Sequence, residues 1–230
     1  MSGTELLMNH AMKLVLLAIL VGLFARKRAH LCWSFVAYLV VALVCNSLMS
    51  FWPEQYYRLW FYSLTLDLVN AAKLALAAEL TYRTFRAFPG AAARVRILLA
   101  PIFFVPVLFM SKMPAGASYE EIVQIYQPQL QTGVIWIMTA ITLLIAWYRV
   151  PVHAMHRAIL IGFAAYLLIF TTFLNVLRDF GFENLRSFIN VADGYAYILL
   201  LCAWAYAAWV PARRPVLALD VLKRLQLETV

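Results

Sequence analysis

Asp67, Asn70 and Lys73 recur three residues apart inside one long apolar run. An ionisable side chain in such a run is costly, so it faces neighbouring helices or a wet cavity rather than lipid. At about 100° per residue the three occupy about a third of a helix circumference, and at about 1.5 Å per residue they descend about 9 Å. A ladder of this kind is suited to holding a solute or passing an ion. Lys13 and Asp193 stand in two other apolar runs. If the runs carrying Lys13, Asp67 and Asp193 adjoin, these charges form a buried ion-pair cluster. The candidate ligand or ion-pathway residues are therefore Asp67, Asn70, Lys73, Lys13 and Asp193. Interhelical hydrogen bonding is the plainer role for the asparagines, Asn70 included. Glu79 is accounted for by Arg83 four residues on, as an i,i+4 pair near a helix end.

Bond-breaking chemistry finds no constellation. Asp67 and Asp193 sit in TLDLV and ADGYA, not in the Tyr-Asp and Gly-x-Gly-Asp settings of intramembrane aspartyl proteases. No Gly-x-Ser-x-Gly elbow with a partnered histidine is present. His10 stands alone near one end of its run, while His30, His153 and His156 fall at the opposite side, so no axial pair for haem forms. The last run has no lysine for retinal. Cys32, Cys45 and Cys202 give neither a disulfide framework nor a zinc spacing. The sequence assigns no catalytic residue and no metal ligand and leaves any cofactor unknown, and the expectation is a protein that is not an enzyme.

The elements that carry these residues follow from composition. With 65% hydrophobic and 13% charged residues, the 230-residue chain has more apolar surface than a soluble core could bury. Crossing the hydrocarbon takes about 20 apolar residues as a helix. Such runs lie at 6–24, 32–51, 59–82, 95–110, 130–148, 158–177 and 189–209, the fourth being short and holding Pro101 and Pro106. Without water to satisfy the backbone, helices are the expected form.

Arg26, Lys27, Arg28, Arg83, Arg86, Arg94, Arg96, Arg149, Arg157, Arg213, Arg214, Lys223 and Arg224 fall in alternate gaps, 13 basic residues against 4 in the others. The positive-inside rule makes the richer side cytoplasmic. The fold class expected is all-α: a polytopic integral membrane protein, a seven-transmembrane-helix bundle, N-terminus outside and C-terminus cytoplasmic, in the plasma (bacterial inner) membrane. Residues 1–210 form the transmembrane domain, and 211–230 a cytoplasmic tail with a short amphipathic helix carrying Leu217, Val221 and Leu225. A surface helix is also expected over 119–126. The first run is read as a retained helix, because its basic cluster follows rather than precedes it. The net charge of +8 is spread over membrane-flanking loops. Anionic lipid is thus the expected partner, contacted by Arg26, Lys27, Arg28, Arg213 and Arg214, and nucleic acid is not. No internal repeat is apparent.

Phe35 with Tyr38, the Tyr56-Tyr57 pair, and the run Glu79-Leu80-Thr81-Tyr82-Arg83-Thr84-Phe85-Arg86 followed by Pro89-Gly90 resemble a group of small bacterial seven-helix membrane proteins of unknown function. The resemblance covers the second run to the start of the fourth, and it implies topology only. Pro128-Gln129 matches half of the paired Pro-Gln pattern of PQ-loop transporters, but the first run, where the other half belongs, has no proline. Compact loops and missing catalytic motifs lead to the expectation of a non-enzymatic membrane module, a sensor or an accessory subunit of a larger membrane complex with membrane-protein partners. The alternative is a small-solute transporter using the ladder in the third helix.

Overall fold

The computed structural model describes residues 3–85, 127–147, 153–180 and 182–211. They form α1 (Gly3–Ala25), α2 (Trp33–Phe51), the single turn α3 (Pro53–Tyr56), α4 (Leu59–Phe85), α5 (Gln127–Trp147), α6 (Ala154–Phe180) and α7 (Phe182–Trp209). Among the described residues the protein is all-α, with a short 3-10 turn at Ala29–Leu31. Among the described residues four stretches are long and apolar enough to cross a membrane: Leu6–Ala25, Trp33–Phe51, Ala154–Leu177 and Ser187–Trp209. They coincide with the first, second, sixth and seventh expected runs. The third run is helical as α4 but carries Asp67, Lys73 and Glu79, and the fifth, α5, has a shorter apolar stretch at Gly133–Leu143. The expected fourth run, the surface helix at 119–126, and the tail with Arg213 and Arg214 lie outside the described residues.

Local chemistry sets where the helices stop. At the end of α1, the Arg28 N–H bonds to the Leu23 carbonyl at 2.7 Å and the Lys27 N–H to Phe24 at 3.0 Å. This is the Schellman pattern, which needs a left-handed residue at the position Lys27 occupies, with φ 52°. A side chain there is strained, whereas glycine is not. Lys27→Gly is expected to raise stability by about 0.5–1 kcal/mol, partly offset by the freer unfolded chain. Reversible unfolding in mixed micelles measures this; a lower stability would mean that the lysine side chain contributes more than its backbone costs. The chain leaves α2 at Trp52 because Pro53 follows: proline disfavours helical backbone before it and is tolerated in the first turn of α3.

Side-chain contacts fix the directions of the helices. We call the end where α1 begins the upper end. Asn9 donates to Ser50 at 2.9 Å, so α2 rises beside descending α1. Glu79 meets the start of α2, so α4 descends. Trp209 reaches Ala18 and a side chain at Gly194 would meet Met8, so α7 runs parallel to α1, and α6 rises against it. The helices close a ring in the order α1, α2, α4, α5, α6, α7, and back to α1.

At mid-height the ring is filled by Phe35, Tyr38, Phe163 and Trp204, all buried, with Trp204 edge-on to Phe35 at 5.0 Å and tilted on Phe163 at 4.6 Å. Lipid is as apolar as leucine, so such packing and interhelical hydrogen bonds, rather than escape from water, hold helices together in a bilayer. Large apolar side chains on the outside, such as Trp136, Phe188 and Leu199, suit lipid contact.

A short repeat absent from the sequence reading appears in this packing. Residues 18–22 read AILVG on α1 and residues 158–162 read AILIG on α6. Each takes one indole of α7: Trp209 Nε1 donates to the Ala18 carbonyl at 3.1 Å, and Trp204 Nε1 to Ala158 at 3.2 Å. Gly22 and Gly162 lie beside the rings, where a Cβ would stand 2.8 Å and 2.7 Å from the respective Nε1. Five residues are too few to register as a repeat until their common partner helix is seen.

Candidate functional site

The upper half of the ring encloses a partly open cavity of about 300 Å³ between α1, α2, α4, α6 and α7. Small-molecule sites commonly span about 300–1,000 Å³. On α4 the lining stripe is Tyr62, Thr65, Leu66, Val69 and Lys73. Tyr62 and Lys73 are eleven residues apart, so at about 1.5 Å per residue the cavity extends about 16 Å along the helix. Its lower part brings Lys73 together with Asp193 of α7 and three tyrosines, Tyr38, Tyr166 and Tyr197. The charges of Lys73 and Asp193 act on each other. The Tyr166 hydroxyl donates to Asp193 Oδ2 at 3.5 Å, and the Tyr38 and Tyr197 hydroxyls lie 3.2 Å apart. Asp193 Oδ1 and Thr65 Oγ1 have no hydrogen-bond partner among the described residues. Buried polar atoms are nearly always satisfied, so two orphans at one cavity are notable.

The five candidate residues separate here. Lys73 and Asp193 share the cavity; Asp67, Asn70 and Lys13 do not line it. Helical rotation explains the split within the ladder. At about 100° per residue, Asn70 is about 80° and Asp67 about 140° from the centre of the lining stripe. Asn70 is buried and Asp67 only half-buried. The cluster of Lys13, Asp67 and Asp193 does not form: α7 packs on α1, but α4 packs on α2 and α5. Lys13 Nζ instead stands over the Phe51 ring, 5.1 Å from its centroid, a cation–π contact.

Sequence reasoning did not single out Tyr38, Tyr166 and Tyr197 as site residues. A usable signal existed: a tyrosine deep in an apolar run needs a partner for its hydroxyl, and Tyr197 follows Asp193 by one helical turn.

Below the cavity the aromatic layer closes the ring, and three side chains bind helix ends together at the lower end. Glu79 accepts from the Ser34 N–H at 2.7 Å and the Trp33 N–H at 3.2 Å, besides Arg83 at 2.7 Å. Its role therefore exceeds the i,i+4 pair: it caps α2, whose own N-cap residue Cys32 offers no side-chain cap. Arg28 donates to the carbonyls of Ala207 and Ala208 at 2.8 and 3.2 Å, capping the end of α7. Of the expected lipid-contacting residues, Arg26 and Lys27 are exposed. His156 Nε2 donates to the Leu31 carbonyl at 2.9 Å. His153 Nδ1 accepts from the Met155 N–H at 3.1 Å at the start of α6. Burial, together with His156, Arg28 and His30 nearby, holds His153 below its ordinary pKa, which favours the neutral ring that this bond requires. Among the described residues no group of three or more histidine, cysteine, aspartate or glutamate side chains is placed to hold a metal.

Compared with protein-family models, curated proteins and solved structures, the chain matches none. No family is identified; the described residues are all-α, with four candidate membrane spans and a polar-floored cavity inside the ring of helices.

Proposed function

We propose that this protein is a non-enzymatic membrane module that senses a small solute, binding it in the cavity between α1, α2, α4, α6 and α7. The observation that carries the reading is the cavity itself, with Lys73 and Asp193 in its lower part. An apolar pocket with a few convergent polar groups is the usual form of a small-molecule site. The setting is a seven-span bundle in a bacterial inner membrane with the upper end outside, supported by the excess of basic residues in alternate gaps. In that orientation a solute enters from the outer side.

Sensing is favoured over transport by what lies beneath. A transporter needs a route onward, whereas below this cavity stand the buried layer of Phe35, Phe163 and Trp204 and the helix ends joined by Glu79, Arg28 and His156. The polar ladder that motivates transport also divides, since Asp67 turns away from the cavity.

The test is a panel of small polar solutes added to the purified protein in neutral-lipid nanodiscs, with thermal unfolding as readout. At least one solute class is expected to raise the midpoint of the wild type by several degrees and to leave Lys73→Met unshifted, because ligand binding stabilises only the state that binds it. No shift with any solute, or equal shifts in the variant, would overturn the reading. Uptake of the same solute into sealed vesicles would replace sensing with transport.

A further inference from the structure

The chemistry of the cavity walls also constrains what enters. Resting on the solute-binding reading, we infer that the solute is a small zwitterion of the amino-acid class, an ammonium and a carboxylate close together on an apolar or aromatic body, anchored by Asp193 and Lys73.

Charge balance is the first argument. Among the described lining residues Lys73 and Asp193 are the only two with a formal charge, and the signs are opposite. A singly charged solute is attracted by one and repelled by the other, and a solute charge brought out of water against a like charge is expensive. A zwitterion matches both. That difference is a selectivity device, because the wrong solute is rejected by repulsion as well as by a missing contact.

Open hydrogen-bonding capacity is the second. Among the described residues Asp193 takes one long hydrogen bond beside the charge of Lys73, 3.5 Å from the Tyr166 hydroxyl to Oδ2, while Oδ1 has none. An ammonium against the partly accessible carboxylate brings three donors to a group with hydrogen-bonding capacity to spare. Thr65 Oγ1 is a second orphan on the same cavity. Lys73, buried on α4, presents the complementary cation to the carboxylate of the solute.

The walls and size define the rest of the molecule. Met12, Met49, Leu66, Val69 and Phe170 line the cavity around the polar groups. Methionine adapts to irregular apolar shapes and packs well on rings. A volume of about 300 Å³ is at the small end of ligand sites, which fits a single amino acid rather than a peptide or a lipid.

A matched set of three compounds with one body tests the idea: phenylalanine carrying both charges, 2-phenylethylamine the cation alone, and 3-phenylpropionate the anion alone. Binding is measured calorimetrically at pH 7 to the full chain in neutral-lipid nanodiscs. Phenylalanine is expected to bind the wild type at least tenfold more tightly than either singly charged compound, a comparison that needs no variant. Asp193→Asn should weaken phenylalanine at least tenfold and bring phenylpropionate level with it; Lys73→Met should do the same for phenylethylamine. Equal affinities for the three compounds, tighter binding of a singly charged one, or indifference of phenylalanine to both substitutions would overturn the proposal. If none of the three binds while other solutes still shift the wild type in a Lys73-dependent way, the zwitterion assignment fails and the binding reading stands. If no solute binds at all, both fail.

Discussion

Glu79→Ala is expected to destabilise the protein by about 3 kcal/mol, since hydrogen bonds to a charged group contribute about 1.5–3 kcal/mol each and orphaned partners add a penalty. The carboxylate, mostly buried at 16% exposure, accepts from the Ser34 and Trp33 amides and from Arg83. It also receives the Cys32 thiol at 3.6 Å, within reach for sulfur. Truncation leaves the first amides of α2 without this acceptor, and the N-cap residue Cys32 makes no side-chain cap to replace it. Two comparisons separate capping from ion pairing. Glu79→Gln keeps an oxygen for one amide and should lose less than Glu79→Ala. Arg83→Met removes a partner that is 34% exposed, and surface ion pairs contribute about 0–1 kcal/mol, so it should lose least. Reversible unfolding in mixed micelles gives the order. An Arg83→Met loss as large as that of Glu79→Ala would mean that the ion pair, not the cap, joins α4 to α2.

The second large effect is expected at Gly162. A Cβ there would lie 2.7 Å from both Leu200 Cδ1 and Trp204 Nε1. Leucine can turn its methyl aside, but Trp204 has no exposed surface, is bonded to Ala158, and is wedged between Phe35 and Phe163. Gly162→Val must therefore push α6 from α7 or break the indole bond. Overpacking costs about 1–3 kcal/mol and a lost hydrogen bond about 1 kcal/mol more. Gly22 supplies an internal control with the same local sequence. Its partner Trp209 is 40% exposed and can swing outward, so Gly22→Val should cost less than half as much. Equal losses at the two glycines would show that intrinsic helix preference, not the indole, governs both positions.

The two effects also bear on the solute site. Trp204 touches Tyr38, with ring centroids 6.2 Å apart, and Tyr38 lines the cavity. Displacing Trp204 should thus weaken solute binding as well as stability, whereas Glu79→Ala acts at the far end of the bundle.

The amino-acid sequence by itself determined the helices and their breaks. Apolar runs place α1, α2 and α6 within four residues of their ends and fix the lower end of α7, which starts seven residues before its run, because hydropathy and the need to satisfy the backbone act along the chain. Pro53 is legible as the break after α2 for the same local reason. Lys73 and Asp193 could be singled out because a charge in an apolar run is conspicuous without any neighbour. Tertiary structure alone decided which face of each helix turns inward. In a helix meant for lipid both faces are apolar, so the periodic contrast that fixes the rotation of a soluble helix is weak. Asp67 and Lys73 therefore looked alike in sequence, and only the packing of α4 on α2 and α5 gave one to the cavity and turned the other aside. The capping of α2 by Glu79, the seat of each indole beside a glycine, and the tyrosines around Asp193 likewise join residues on different helices. Pairings of that kind depend on which helices adjoin, at what height and with what rotation, and of the three only the spacing of Tyr197 from Asp193 on α7 is written locally in the chain.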